Sequence, residues 1–179
     1  MKKYLLLVKV RVLLLSQSSK FQMRKLTNIY ISLFYTGYIK FYPGTFASLV
    51  SIFIIFFFKE FTEINNLIFL FLFLILIPIS MYFIKKYSNY ENNHDSGIIV
   101  IDEFLGIYLI FIFYDYIYIY SVEITLILIF ILFRFFDIFK IFPANIVDKN
   151  MRNSLGVIID DLIASVYTIA LMYFINVNY

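Results

Sequence analysis

Residues 64–84 read INNLIFLFLFLILIPISMYFI, an almost unbroken apolar run. A helix that crosses a bilayer needs roughly 17–25 such residues. In lipid, every backbone N–H and C=O must be bonded within its own segment, so the run predicts a helix. Pro78 inside it is tolerated in a membrane helix and predicts a kink. The remainder of the 179-residue chain agrees, being 63% hydrophobic and only 15% charged. An average soluble domain is roughly 45–50% apolar and about 25% charged. Too little polar surface is left to coat a water-soluble globule. The fold class expected is all-α, a small integral membrane helical bundle of about 4–5 membrane-associated helices.

Several function classes drop out. The chain has no Cys, which removes a disulfide-stapled fold and any cysteine-ligated metal site. Its hydrophobicity is far too high for intrinsic disorder. The net charge of +3 is small and the basic residues form no patch suited to nucleic acid, so no nucleic-acid partner is expected.

Residues 1–30 carry Lys2, Lys3, Lys9, Arg11, Lys20, Arg24 and Lys25 with no acid among them. Lys9 and Arg11 interrupt the apolar run that a cleaved signal would need. A disordered or surface-lying basic tail is expected there, with Met23 an alternative translation start. Residues 31–179 form the helical membrane domain. Within it, residues 45–58 are apolar but short for a span. After 64–84 comes a polar stretch, 85–97, read as a loop. Residues 98–113 are apolar apart from Asp102 and Glu103, and 114–120 read as an interfacial aromatic belt. Residues 124–133 continue as a span. The last helix is placed at 157–175, with Asp160 and Asp161 in its first turn.

Lys and Arg favour the cytosolic side in short loops. The basic N-terminus, Lys85 and Lys86, and the group Arg134, Lys140, Lys149 and Arg152 all suit that side. Asp115 and Glu123 lie in a loop without Lys or Arg and suit the other. Five alternating crossings satisfy this pattern. The same topology gathers Thr45, Ser48, the two acidic pairs and Arg134, Asp137 and Lys140 at one membrane face, the cytosolic one.

Ionisable groups inside a span are costly, and adjacent acids repel each other. The chain has two such pairs, Asp102-Glu103 and Asp160-Asp161. One reading is a cation site, since Mg²⁺ takes carboxylates, water and phosphate oxygens. The other is acids held at helix N-termini by the helix dipole. Arg134, Asp137 and Lys140 are spaced i, i+3, i+6 on one side of a helix. They suit a phosphate, or are basic groups snorkelling at a cytosolic helix end. Pro43-Gly44-Thr45 opens a helix whose free N–H groups suit an anion, although such a turn is common. His94, the single His, is either a loop residue or a proton donor. Gly106 lets a neighbouring helix approach closely.

In order along the chain, Thr36-Gly37 with PGTFASL (43–49), HDSGIIVIDEFLG (94–106), FRFFDIFKIFP (133–143) and VDKNMRNSLGVIIDDLIASVY (147–167) resemble the phosphatidylglycerophosphatase A family. The resemblance spans about 33–175. It implies an all-helical core and hydrolysis of phosphatidylglycerophosphate to phosphatidylglycerol with Mg²⁺, a step of bacterial phospholipid synthesis. The implied site is Thr45, Asp102, Glu103, Arg134, Asp137, Lys140, Asp148, Asp160 and Asp161. Asp102, Glu103, Asp160 and Asp161 would bind the metal. Thr45, Arg134, Lys140 and Asp148 would bind phosphate, and His94 joins the carboxylates as a catalytic candidate. A multi-pass protein of the bacterial inner membrane is implied, with lipid as its partner and homo-oligomerisation left open.

Three departures stand out. The loop before Pro43 is short. Lys140-Ile141 replaces a usual Lys-Pro, and Asn153-Ser154 replaces a usual Gly-Gly. Each bears on substrate fit more than on reaction type.

The mechanism this implies is attack on phosphorus by a metal-activated water, with an aspartyl-phosphate route ranked lower. Rivals are a small transporter, a scaffold, or a divergent phosphatase acting on another lipid phosphate. A transporter would place its polar groups nearer the midplane. Lipid phosphatases that use two catalytic His need one more than this chain has, and the DGxxAR pattern of CDP-alcohol transferases is absent.

Overall fold

The computed structural model describes residues 2–62, 64–91, 96–151 and 153–178, with side chains from 17 onward except at 148. The elements are α1 (Lys2–Ile31), α2 (Pro43–Thr62), α3 (Asn66–Glu91), α4 (Ile101–Ile112), α5 (Tyr114–Ile117), α6 (Val122–Phe139), α7 (Ala144–Asn150) and α8 (Ser154–Asn178). A 3₁₀ turn, Thr36–Tyr38, sits between α1 and α2. No strand occurs among the described residues, so the all-α membrane bundle expected from composition is what forms.

The helix at the centre is α4. It packs chiefly on α8 and α2, with α3 on a further side. Leu105, Ile107, Ile110 and Phe111 on α4 are completely or almost completely buried. The flanking helices approach it through small residues. The buried positions of α2 include Ala47, Ser48 and Ser51, and those of α8 include Gly156, Ala164, Ser165 and Thr168. With no hydrophobic drive between helices in lipid, close backbone packing of this kind holds a bundle together. At Gly106 a Cβ would lie 2.8 Å from the Phe133 ring and 2.9 Å from Ser165 Oγ, so α6 and α8 close on α4 where only glycine fits. The buried hydroxyls of Ser51 and Thr168 are satisfied by carbonyls one turn back. The ring of Tyr108 stacks on Phe69 with centroids 4.2 Å apart, tying α4 to α3.

Contacts at the two ends fix the direction of each helix. At one end, Lys59 of α2 donates to the Phe111 carbonyl and to Asp115, while Asn66 of α3 also donates to Asp115. The Asn176 amide of α8 reaches the Tyr118 carbonyl there. At the other end, the starts of α2, α4 and α8 meet the ends of α3 and α6. Five segments therefore alternate in direction, as the charge pattern required.

Three of them, α2, α3 and α8, are long and apolar enough to cross a membrane. The apolar stretch expected at 45–58 extends in both directions into α2 and reaches spanning length. Helix α6 has 18 residues but carries Glu123, Arg134 and Asp137. Helix α4 has 12 residues, about 18 Å at 1.5 Å per residue, against a hydrocarbon core of about 30 Å. Its neighbours enclose it, so the short length leaves little backbone facing lipid.

Two boundaries differ from the sequence reading. The polar residues 85–91 continue α3 rather than forming a loop, because Tyr87 and Ser88 are buried on its inner face. The N-terminal 30 residues, read as a disordered or surface-lying tail, run as α1, whose last part packs on α3. There Tyr30 shares a 2.8 Å hydrogen bond with Ser80.

A three-carboxylate cavity at one end of the bundle

The end where α2, α4 and α8 begin holds a cavity of about 790 Å³. Asp102 and Glu103 enter it from the first turn of α4. Arg134 and Asp137 enter from the last turns of α6, and Lys140 from its C-cap. Asp160 and Asp161 enter from α8. One carboxylate oxygen from each of Asp102, Glu103 and Asp161 lies within 4.8 Å of the others.

The acids of α8 do not lie in its first turn. The helix starts at Ser154, so Asp160 and Asp161 are its seventh and eighth residues. The helix-dipole effect fades beyond the first turn. The dipole explanation therefore fails for this pair, although it still applies to Asp102 and Glu103. Both aspartates of α8 are nearly buried.

Some of the charge is paired. Lys140 Nζ donates to Asp160 Oδ2 at 2.7 Å. Arg134 Nη1 donates to Asp137 Oδ2 at 2.5 Å and lies 4.0 Å from Glu103 Oε1. Other atoms are not satisfied. Glu103 Oε2, Asp161 Oδ2 and Arg134 Nε are buried without a hydrogen-bond partner. A buried carboxylate oxygen without a partner is costly. Two of them in one cluster of acids fit a hard, oxygen-preferring cation such as Mg²⁺. The unpaired Arg134 N–H fits an anionic oxygen beside that cation.

Backbone geometry holds the rim. Lys140 has φ 42° and ψ 59°, the left-handed conformation that glycine usually supplies after a helix. Tyr42, just before α2, has φ 52°. Both line the cavity, and strained residues of this kind gather at functional sites. Gly44 lies against Glu103 and Arg134. A Cβ there would collide with Glu103 Oε1 and come within 3.3 Å of Arg134 Nη1.

Of the residues singled out by sequence, Asp102, Glu103, Arg134, Asp137, Lys140, Asp160 and Asp161 come together in this one cavity. Thr45 follows Gly44 in the first turn of α2, but Tyr42, Pro43 and Gly44 form the wall there. His94 lies outside the described residues. Asp148 falls in α7, with its side chain outside the description. Sequence reasoning gave no site role to Tyr42, Ser96, Lys149 or Met151, which also line the cavity. Lys149 could have been found from its place in the VDKN stretch. Tyr42 gives no signal, since its backbone angle is invisible in sequence.

The Asn153-Ser154 departure has a local structural role. Asn153 Oδ1 accepts from the backbone N–H groups of Leu155 at 3.1 Å and Gly156 at 2.8 Å. It caps the helix that carries Asp160 and Asp161.

The family model for phosphatidylglycerophosphatase A matches residues 29–176. Among curated proteins, the chain is similar to phosphatidylglycerophosphatase A of Haemophilus influenzae, 34% identical over 46% of this chain and 48% of that protein. It is also similar to phosphatidylglycerophosphatase A of Escherichia coli, 28% identical over 56% of each chain. The matched stretches thus span about half the length of these relatives. No solved structure matches the chain significantly. With its family match covering all but the first 28 residues and the last three, the chain belongs to the phosphatidylglycerophosphatase A family.

Proposed function

We propose that the protein is a Mg²⁺-dependent lipid phosphatase that hydrolyses phosphatidylglycerophosphate to phosphatidylglycerol and phosphate. The observation that carries this reading is the convergence of Asp102, Glu103 and Asp161 with two buried oxygens unpartnered, beside Arg134 and Lys140. Family membership supplies the substrate.

In this reading Asp102, Glu103 and Asp161 would hold the cation, and Asp160 lines the same cavity beside them. The bound ion supplies Lewis-acid polarisation of the phosphate and lowers the pKa of water. Arg134 places its guanidinium against the transferred phosphoryl group, and Asp137 fixes its orientation through the 2.5 Å bond. Lys140, from the same end of α6, adds a second positive charge. A water oxygen bonds to phosphorus as the bond from phosphorus to the glycerol oxygen breaks. One water is consumed, and the leaving oxygen ends protonated. His94 is the candidate donor of that proton.

In this reading the cavity opens at headgroup depth on the cytosolic face of the bacterial inner membrane, an orientation supported by the Lys and Arg gathered at that end. A phosphate monoester on a lipid headgroup would reach it there without leaving the bilayer.

The test is phosphate release from phosphatidylglycerophosphate by detergent-purified protein, with Mg²⁺ and with EDTA. Release that needs Mg²⁺ and is lost in D161N, while the protein still inserts, supports the reading. Release unaffected by EDTA would overturn it.

A further inference from the structure

A second crevice, of about 680 Å³, lies between α1 and the last turns of α3. Lys20 and Arg24 of α1 and Lys86 and Tyr90 of α3 line it, with Gln17 and Ser19. Among the described residues, none of the three cations pairs with a carboxylate. Glu91, at the end of α3, is exposed and does not line the crevice.

Aromatic rings hold two of the cations in place. The Arg24 guanidinium lies 5.0 Å from the centroid of the Tyr90 ring. Lys86 Nζ lies 5.3 Å from the Tyr82 ring centroid and donates to its hydroxyl at 3.3 Å. Such contacts orient a cation without neutralising it.

Depth and surroundings select the ligand. Lys85 and Lys86 close the long apolar run of α3, which sets the crevice at the headgroup layer. Tyr87 shares a 3.3 Å hydrogen bond with Ser96, which lines the catalytic cavity, so both features lie at the same membrane face. Beside the cations, α1 exposes Phe21 and Leu26, 71% and 56% accessible. Positive charge at headgroup depth next to bare apolar surface suits an amphiphile rather than a free anion.

We propose that this crevice binds one anionic phospholipid, with its phosphodiester held by Lys20, Arg24 and Lys86 and its chains lying along Phe21 and Leu26. Most of the lining residues, Gln17 to Arg24 of α1, precede the matched family region. It does not depend on the catalytic reading.

Native mass spectrometry of the full chain in detergent, with added phosphatidylserine, tests this. Phosphatidylserine is neither the proposed substrate nor its product. The triple variant K20Q/R24Q/K86Q is expected to lower bound phosphatidylserine at least about tenfold, given the attraction of each basic group to anionic lipid. R24Q and K86Q singly give intermediate losses, with melting temperatures unchanged. The equal-charge control K25Q/K40Q/K85Q, at exposed sites outside the crevice, binds as the parent does. Phosphatidylcholine binds weakly to all, and millimolar inorganic phosphate does not displace the lipid. Undiminished binding by the crevice variant would overturn the proposal. So would equal loss in the control variant, or displacement by inorganic phosphate.

Discussion

Lys140 holds Asp160 at 2.7 Å from a left-handed backbone, joining the end of α6 to the second turn of α8 across the cavity. Two demands meet at this residue. Glycine would relieve the backbone, since the left-handed conformation costs an L-residue roughly 1–2 kcal/mol. It would also remove the amine. K140G is expected to melt below the parent, because the nearly buried Asp160 loses its counter-charge at a greater cost than the backbone relief, and to lose about 10²-fold or more in phosphate release, the scale for removing one charge-stabilising donor. Parallel melting and activity measurements check this.

On the proposed reading, the acidic cluster is a liability without the cation it would hold. Asp161 Oδ2 and Glu103 Oε2 are buried and unpartnered, close to other carboxylates. In EDTA, D161N and E103Q are expected to melt at or above the parent temperature, because each removes a buried negative charge. With Mg²⁺ the order reverses: the parent gains thermal stability and the variants gain little. Melting curves of the three proteins at both conditions decide it.

Gly44 allows α2 to lie against Glu103 and Arg134. G44A forces one of them to move. A displacement of this size near the reacting groups is expected to cost about 10²-fold in rate. The structure of the variant would show Glu103 or Arg134 shifted, while α2 keeps its packing on α4.

Asn153 caps α8 through its side-chain oxygen. N153A is expected to destabilise the protein by about 0.5–2 kcal/mol and N153G by only a few tenths. Denaturation in detergent measures both. Glycine at this position is the residue the family resemblance implies, so activity should survive in N153G.

At the opposite end, Asn66 donates to Asp115 at 2.9 Å and Lys59 lies 3.3 Å away. The Asn66 amide, helped by Lys59 against partial burial, holds this carboxyl below its usual range. A depressed carboxylate stabilises the fold above its ordinary pKa of about 3.9, and that contribution fades as pH falls through the lower folded value. Asp115 is more than half exposed, so the contribution is at most about 1 kcal/mol. D115N is expected to lower stability slightly at pH 7 and to remove this part of the loss on acidification. Melting between pH 7 and pH 3 checks both.

The sequence exposed much of this architecture through charge. An apolar chain must explain each ionisable group inside it, and Asp102, Glu103, Arg134, Asp137, Lys140, Asp160 and Asp161 all proved to line one cavity. Alternating helix direction followed from where Lys and Arg interrupt apolar runs. Helix ends were less legible. Residues 85–91 are polar in composition, and only the burial of Tyr87 and Ser88 keeps them in α3. The start of α8 at Ser154 depends on the Asn153 cap, a contact between side chain and backbone that periodicity does not reveal. The central, undersized α4 could not be told from a full span, because burial in protein and burial in lipid favour the same residues. Tyr42 enters the site through a backbone angle and left no mark in composition.

The most direct measurement is phosphate release from phosphatidylglycerophosphate by the full chain in detergent, parent against D161N, across a Mg²⁺ titration. The expected result is release by the parent that rises with Mg²⁺ and vanishes in EDTA. D161N, folded and inserted, should release at least about 10²-fold less at every concentration. Equal release by both proteins, or full release in EDTA, would contradict a site built on the three converging carboxylates.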